Sequence, residues 1–277
     1  MKFARVIFEQ AIWAARIEHD TVHLIGKIES DVPAHAEKFI AYLQAQGAGS
    51  AGPSVSMDEI QLKAPLENPH KIICVGRNYA EHAAEMGSEI KEIPVIFNKF
   101  SDAITDPGAA IALPEISDAV DYEAELVVVI GREGRHIPRE KAHEHIFGFC
   151  CGNDISARDW QKGRPGGQWL LGKSFDDFAP LGPWIVTRDQ IDYRALDIKL
   201  HLNGKEMQSA NTSQLIFDVD YLIAHLSKFC TLKPGDLLFT GTPAGVGAGR
   251  VPPVFLKPGD ITAVEITGLG TLTNSFV

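Results

Sequence analysis

The sequence predicts an α+β fold rich in strands, a mixed β-sandwich or closed β-roll with a small N-terminal α/β unit. Three observations predict it. Short apolar runs of strand length outnumber helical patterns, without the strand and helix alternation of a doubly wound sheet. The segment GAGSAGPS, residues 47 to 54, reads as a linker between a small unit, 1–53, and a larger one, 54–277. Lys-Pro-Gly-Asp occurs twice, at residues 233–236 and 257–260, each time as a tight turn leading into an apolar run.

In chain order, residues 2 to 28 hold apolar runs broken at Glu18-His19-Asp20 and Gly26-Lys27, the pattern of a small antiparallel sheet. A helix follows: Pro33 suits its first turn, Phe39, Ile40 and Leu43 form one apolar stripe, and Gly47 is its stop after about Gln46. From residue 70 onward strands are expected at 71–75, 95–97, 123–130, 146–151, 184–187, 198–202, 237–240 and 261–266, with helices few and short. One short helix lies in NYAEHAAEMG, with Asn78 as N-cap and Gly87 as terminator.

A chain of 277 residues that is 45% hydrophobic can bury a substantial core, in no more than two domains. A net charge of −10 without a basic stripe argues against nucleic acid as a partner. No apolar run is long enough to span a membrane, and Glu9 and Arg16 interrupt the opening runs, so a cytoplasmic location is expected. The four cysteines lack C-x-x-C spacing and read as reduced and structural.

Chemistry concentrates in a few segments. In VDYEAELVVVIG, Glu123 and Glu125 leave a strand on the same face. Two carboxylates side by side at the edge of a core need a proton or a cation between them, though a lone E-x-E also fits the wet face of a half-exposed strand. Asp154, in the polar elbow after 146–151, supplies a third oxygen ligand suited to Mg²⁺ or Mn²⁺. His82 and Glu85, three apart on a helix, could deprotonate a water, or simply pair on an exposed face. Lys173 could bind a carboxylate or stabilise an enolate, or be a surface lysine. TGTPAGVGAG, residues 240 to 249, offers backbone N–H groups and the Thr242 hydroxyl as an anion-binding loop, without the ending of a P-loop.

Six segments, GRNYAEHAAEMG, FNKFSDAI, VDYEAELVVVIG, GFCCGNDISARDWQ, GKSFDDFAPLGPW and GDLLFTGTPAGVG, resemble in order the motifs of the fumarylacetoacetate hydrolase superfamily, over roughly residues 70 to 277. The likeness extends to its bacterial acylpyruvases. The resemblance implies a mixed β-sandwich roll, a homodimer, and Mg²⁺ or Mn²⁺, with Ca²⁺ in some members, held at Glu123, Glu125 and Asp154. It implies a water-activating dyad of His82 and Glu85 on a lid, with Gln161, Lys173 and Thr242 touching substrate. Arg77, Tyr79 and Arg158 are further substrate-contact candidates.

The activity expected on that basis is cleavage of an acylpyruvate, such as maleylpyruvate or fumarylpyruvate, to pyruvate and a carboxylic acid. Water held by His82 and Glu85 attacks the 4-oxo carbon, and Lys173 stabilises the departing enolate. Basic side chains such as Lys173, Arg77 or Arg158 could hold a second carboxylate. The same site also serves decarboxylation of oxaloacetate or a tricarboxylate, and isomerisation of hydroxymuconate-type dienes. A metal-binding protein without turnover is the reading from a different class.

Overall fold

The computed structural model describes residues 1–30, 33–46, 52–87, 92–165 and 167–277. At the N-terminus β1 (Lys2–Phe8), β2 (Ala11–Glu18) and β3 (Thr21–Lys27) form the expected antiparallel sheet. Helix α1 (Ala36–Ala45) buries Phe39, Ile40 and Leu43 on one stripe. Pro33 lies before that helix rather than in its first turn, because His35 is the N-cap and is tied by a bridge to Glu67. The Gly47 stop and residues 47–51 of the linker lie outside the described residues. At the linker's end, β4 (Ser54–Ser56) pairs with β3, and β5 (Gln61–Lys63) returns to β1.

The larger part begins with β6 (Ile72–Gly76), α2 (Ala80–Glu85) and β7 (Val95–Asn98). Three short pieces follow, β8 (Ile104–Thr105), β9 (Ala110–Ile111) and β10 (Val120–Asp121), and then the central pair β11 (Ala124–Ile130) and β12 (Ile146–Asn153). A short bridge, β13 (Ser156–Ala157), leads into two helical turns, α3 (Arg158–Gln161) and α4 (Trp169–Lys173), and β14 (Ala179–Thr187). The chain ends with β15 (Asp197–Leu202), β16 (Lys205–Asn211), α5 (Val219–Phe229), β17 (Leu237–Phe239), β18 (Ile261–Ile266) and β19 (Gly270–Phe276). All eight expected strands are present. The longest helix among the described residues, α5, and the strands β16 and β19 are additions to that reading.

Both Lys-Pro-Gly-Asp turns form as expected. In each, the Asp side chain accepts from the Lys backbone N–H at 2.8 Å, and the glycine, Gly235 or Gly259, takes a positive φ of 82° or 91°.

Among the described residues the main sheet runs β4-β3-β2-β1-β14-β12-β11-β17-β6-β7, and a second runs β16-β15-β18-β19-β9. Pairing is mixed: β17–β6 and β14–β8 are parallel, β11–β12 and β12–β14 antiparallel. Lys2 and Phe3 pair with Val186 and Ile185, so the N-terminal strands extend the main sheet across the expected boundary between residues 53 and 54. Leu126, Val128 and Ile130 face the second sheet and pack with Leu200, Val264 and Leu272. Val127 and Val129 face the other way, toward Phe39, Ile40 and Leu43 of α1. Strand β11 is therefore buried on both faces, which its unbroken apolar run requires, and each such side chain contributes about 1.5–3 kcal/mol on burial.

No helix among the described residues is long and apolar enough to cross a membrane. All four cysteines are free.

Candidate active site

Glu123 and Glu125 leave the chain on the face that carries Val127 and Val129, as a period of two demands. The β11–β12 register pairs Ala124 with Asn153 and so brings Asp154 beside Glu123. Asp154 N–H donates to the Glu123 carbonyl at 2.8 Å, and Glu123 N–H donates to Asn153 Oδ1 at 2.9 Å. One carboxylate oxygen from each of Glu123, Glu125 and Asp154 lies within 4.8 Å of the others. All three are buried, which removes the reading of a wet strand face.

Cations surround them. Lys173 Nζ donates to Glu123 Oε2 at 2.7 Å and to Asp154 Oδ2 at 2.6 Å. Arg158 reaches Glu123 Oε1 through Nη1 at 2.7 Å and donates through Nε to Asp121 Oδ2 at 2.8 Å. Lys99 Nζ lies 2.7 Å from Asp154 Oδ1, but its protons go to the carbonyls of Ile155, Phe178 and Lys173. Asp154 Oδ1 is buried with the Lys99 ammonium as its ion-pair partner. Lys173 and Arg158, candidates for substrate contact, are both engaged by the protein's own carboxylates.

Among the described residues four buried carboxylates, Asp121, Glu123, Glu125 and Asp154, face three buried cations, Lys99, Arg158 and Lys173. The uncompensated negative charge falls on Glu125, which accepts a 2.7 Å bond from Gly241 N–H. Burial, then the charges of Asp154 and Glu123, raise its pKa well above the usual carboxylate range. Burial raises that of Glu123 too, but Lys173, Arg158 and His82 outweigh it and hold its carboxyl low. Burial would lower the Lys173 pKa, yet Asp154 and Glu123 overcome that and raise it. A divalent cation fits this set: it would lie among three converging carboxylate oxygens, neutralise Glu125 and leave the cluster with one positive charge. All-oxygen donors of this kind suit Mg²⁺ or Mn²⁺, and Ca²⁺ as well.

The cluster opens on a cavity of about 20 Å³, roughly the room of one water or ion. Arg77, His82, Glu123, Glu125, Arg158, Gln161, Lys173 and Thr242 all line it. Gln161 Oε1 accepts from Arg158 at 3.0 Å, and Thr242 Oγ1 accepts from Gln208 at 2.8 Å. Tyr79, Glu85 and Asp154 stand behind that lining. The Tyr79 hydroxyl is buried without a partner, and burial and the Glu125 charge raise its pKa.

His82 Nδ1 and Glu85 Oε2 share a helix face at 3.4 Å, a long contact. Asn78 does not cap that helix. Tyr79 occupies the N-cap, and the Asn78 side chain instead donates to the carbonyls of Phe217 and Thr240 and accepts from Phe217 N–H. The glycine-rich loop is an anion-binding loop, but its anions are the protein's own. Gly241 N–H goes to Glu125, Gly245 N–H to Glu85, and Gly247 and Ala248 N–H to Asp121. One loop thus positions the metal-ligand candidate, the dyad carboxylate and the partner of Arg158.

Sequence reasoning missed Lys99, Asp121, Gln208 and Lys162. Lys99 closes the strand VIFN, and Asp121 precedes the E-x-E by two residues; a charged residue at the end of an apolar run was the available signal for both.

The family model for the fumarylacetoacetate (FAA) hydrolase C-terminal region matches residues 71–277. The chain is 50% identical over 224 residues to the mitochondrial oxaloacetate tautomerase fahd2 of Xenopus laevis, covering 80% of this chain and 70% of that protein. It is 49% identical over 226 residues to the mitochondrial oxaloacetate tautomerase FAHD2A of Bos taurus, covering 81% and 72%. Among solved structures, a fumarylacetoacetate hydrolase from Exiguobacterium antarcticum is 34% identical with a TM-score of 0.88, covering 100% of this chain and 99% of that one. A 5-carboxymethyl-2-hydroxymuconate delta-isomerase from Mycobacterium smegmatis is 36% identical with a TM-score of 0.81, covering 100% and 98%.

Proposed function

The chain belongs to the fumarylacetoacetate hydrolase family, and from that premise we propose that it is a divalent-metal-dependent tautomerase that interconverts the enol and keto forms of a small 2-oxo acid of the oxaloacetate type. The observation that carries this reading is the buried triad itself, three carboxylates with one oxygen of each within 4.8 Å of the others. The relatives named oxaloacetate tautomerase support it, and they favour it over the acylpyruvate cleavage that the sequence suggests. Tautomerisation breaks one C3–H bond and forms one O–H bond, with no water consumed.

When bound, the cation supplies Lewis-acid polarisation of the 2-oxo group. In this reading His82 takes and returns the C3 proton, and Glu85, which accepts from Gly245 N–H, sets its ring orientation. Lys173, fixed between Glu123 and Asp154, keeps a permanent positive charge beside the developing enolate. Gln161 and Thr242 are placed to hold the carboxylate end.

A second reading, hydrolysis of an acylpyruvate, is favoured by one observation, the His82 and Glu85 pair itself. Product analysis separates the two. The metal-loaded protein is given the enol of oxaloacetate and, separately, acetylpyruvate. Faster enol decay without fragments supports the tautomerase; acetate and pyruvate from acetylpyruvate, with enol decay at the spontaneous rate, would establish the hydrolase.

A further inference from the structure

We propose that Lys162, together with Arg77, receives the second carboxylate of the substrate, so that the site selects dicarboxylic over monocarboxylic 2-oxo acids. This rests on the reading of the triad as the seat of the 2-oxo acid end. Of the three cations Lys173, Arg77 and Arg158, two are held by Glu123, Asp154 and Asp121. Arg77 and Lys162 line the same cavity, and among the described residues neither has a carboxylate partner.

Lys162 follows Gln161 at the C-terminal end of α3, where its N–H donates to the Arg158 carbonyl at 3.0 Å. Its stem therefore leaves the helix beside the cavity, with the residue's outer side exposed. Burial of the ammonium, then the charges of Arg158 and Arg77, lower its pKa, as expected of a cation that faces other cations across the mouth. The Arg77 guanidinium lies 5.6 Å from the centre of the Trp169 ring, and its backbone holds a φ of 61°, the left-handed conformation that side chains other than Gly adopt at a cost. Glu123 and Glu125 line the same cavity but lie with Lys173, Arg158 and the metal site, so Arg77 and Lys162 make no direct ion pair among the described residues, and an arriving carboxylate would supply one.

The test uses the Mg²⁺-loaded full-length protein and two inert ligands, malate and 2-hydroxybutanoate, which differ in the second carboxylate. Calorimetry should show malate binding more tightly to the parent. Lys162→Met should weaken malate by about 10- to 100-fold, the range for a charge-assisted bond, and should bring the two affinities together. Lys162→Arg should restore most of the preference. An equal loss for both ligands, a retained malate preference in Lys162→Met, or no preference in the parent would each overturn the inference. A parent that prefers malate yet does not accelerate enol decay would refute the tautomerase reading while leaving Lys162 as the carboxylate contact.

Discussion

Lys99 Nζ stands 2.7 Å from Asp154 Oδ1 and yet donates its protons to the carbonyls of Ile155, Lys173 and Phe178. The lysine neutralises Asp154 at ion-pair distance and ties three segments together. Burial lowers the Lys99 pKa and the Asp154 charge opposes that shift. Lys99→Met removes the charge and strands three buried carbonyls. Denaturant unfolding of the metal-free variant should show a loss of about 3–5 kcal/mol, the range for breaking a buried pair. A change under about 1 kcal/mol would show that the lysine is not structural.

Glu125→Gln should separate stability from metal binding. Burial and the charges of Asp154 and Glu123 oppose ionisation of Glu125, and Gln keeps the shape of its neutral form. The metal-free variant should melt no lower than the parent, while Mg²⁺ affinity falls by about 100-fold. Parent-like Mg²⁺ affinity in a calorimetric titration would remove Glu125 from the ligand set.

Metal binding should release a proton. The raised pKa of Glu125 favours its protonated form in the metal-free protein, and ligation needs the carboxylate. Apparent Mg²⁺ affinity should therefore rise as pH rises toward the shifted pKa and level off above it. Calorimetry in two buffers of different ionisation enthalpy reads the released protons directly, and identical heats in both would contradict the assignment.

His82→Ala should keep the metal and lose the reaction. No ligand of the proposed site is touched, so Mg²⁺ affinity should stay within about twofold, while kcat falls by about 10²- to 10⁴-fold with loss of the proton carrier. Turnover equal to the parent's would assign the proton transfer elsewhere.

Much of this was legible in the sequence. The E-x-E on an apolar strand announced two adjacent carboxylates, and the β11–β12 register added Asp154 to them. The apolar runs marked eight strands, because burial on one or both faces leaves a local pattern. What stayed hidden depends on contacts distant in sequence. Lys99 meets Asp154 55 residues along, and Gln208 reaches Ala124 N–H across 84 residues, on a strand with no clear alternation. The glycine loop looked like a cradle for a ligand because its own carboxylate partners, Glu85, Asp121 and Glu125, lie over a hundred residues earlier.

The most direct test of the central claim is to follow decay of the enol of oxaloacetate by protein stripped with chelator, as Mg²⁺ or Mn²⁺ is titrated back, in the parent and in Glu125→Gln. Enol-to-keto conversion should run at the spontaneous rate without metal, should rise in step with calorimetric occupancy in the parent, and should stay near the spontaneous rate in the variant. Full activity in the stripped protein, or in Glu125→Gln, would show that the triad of Glu123, Glu125 and Asp154 is not where the chemistry occurs.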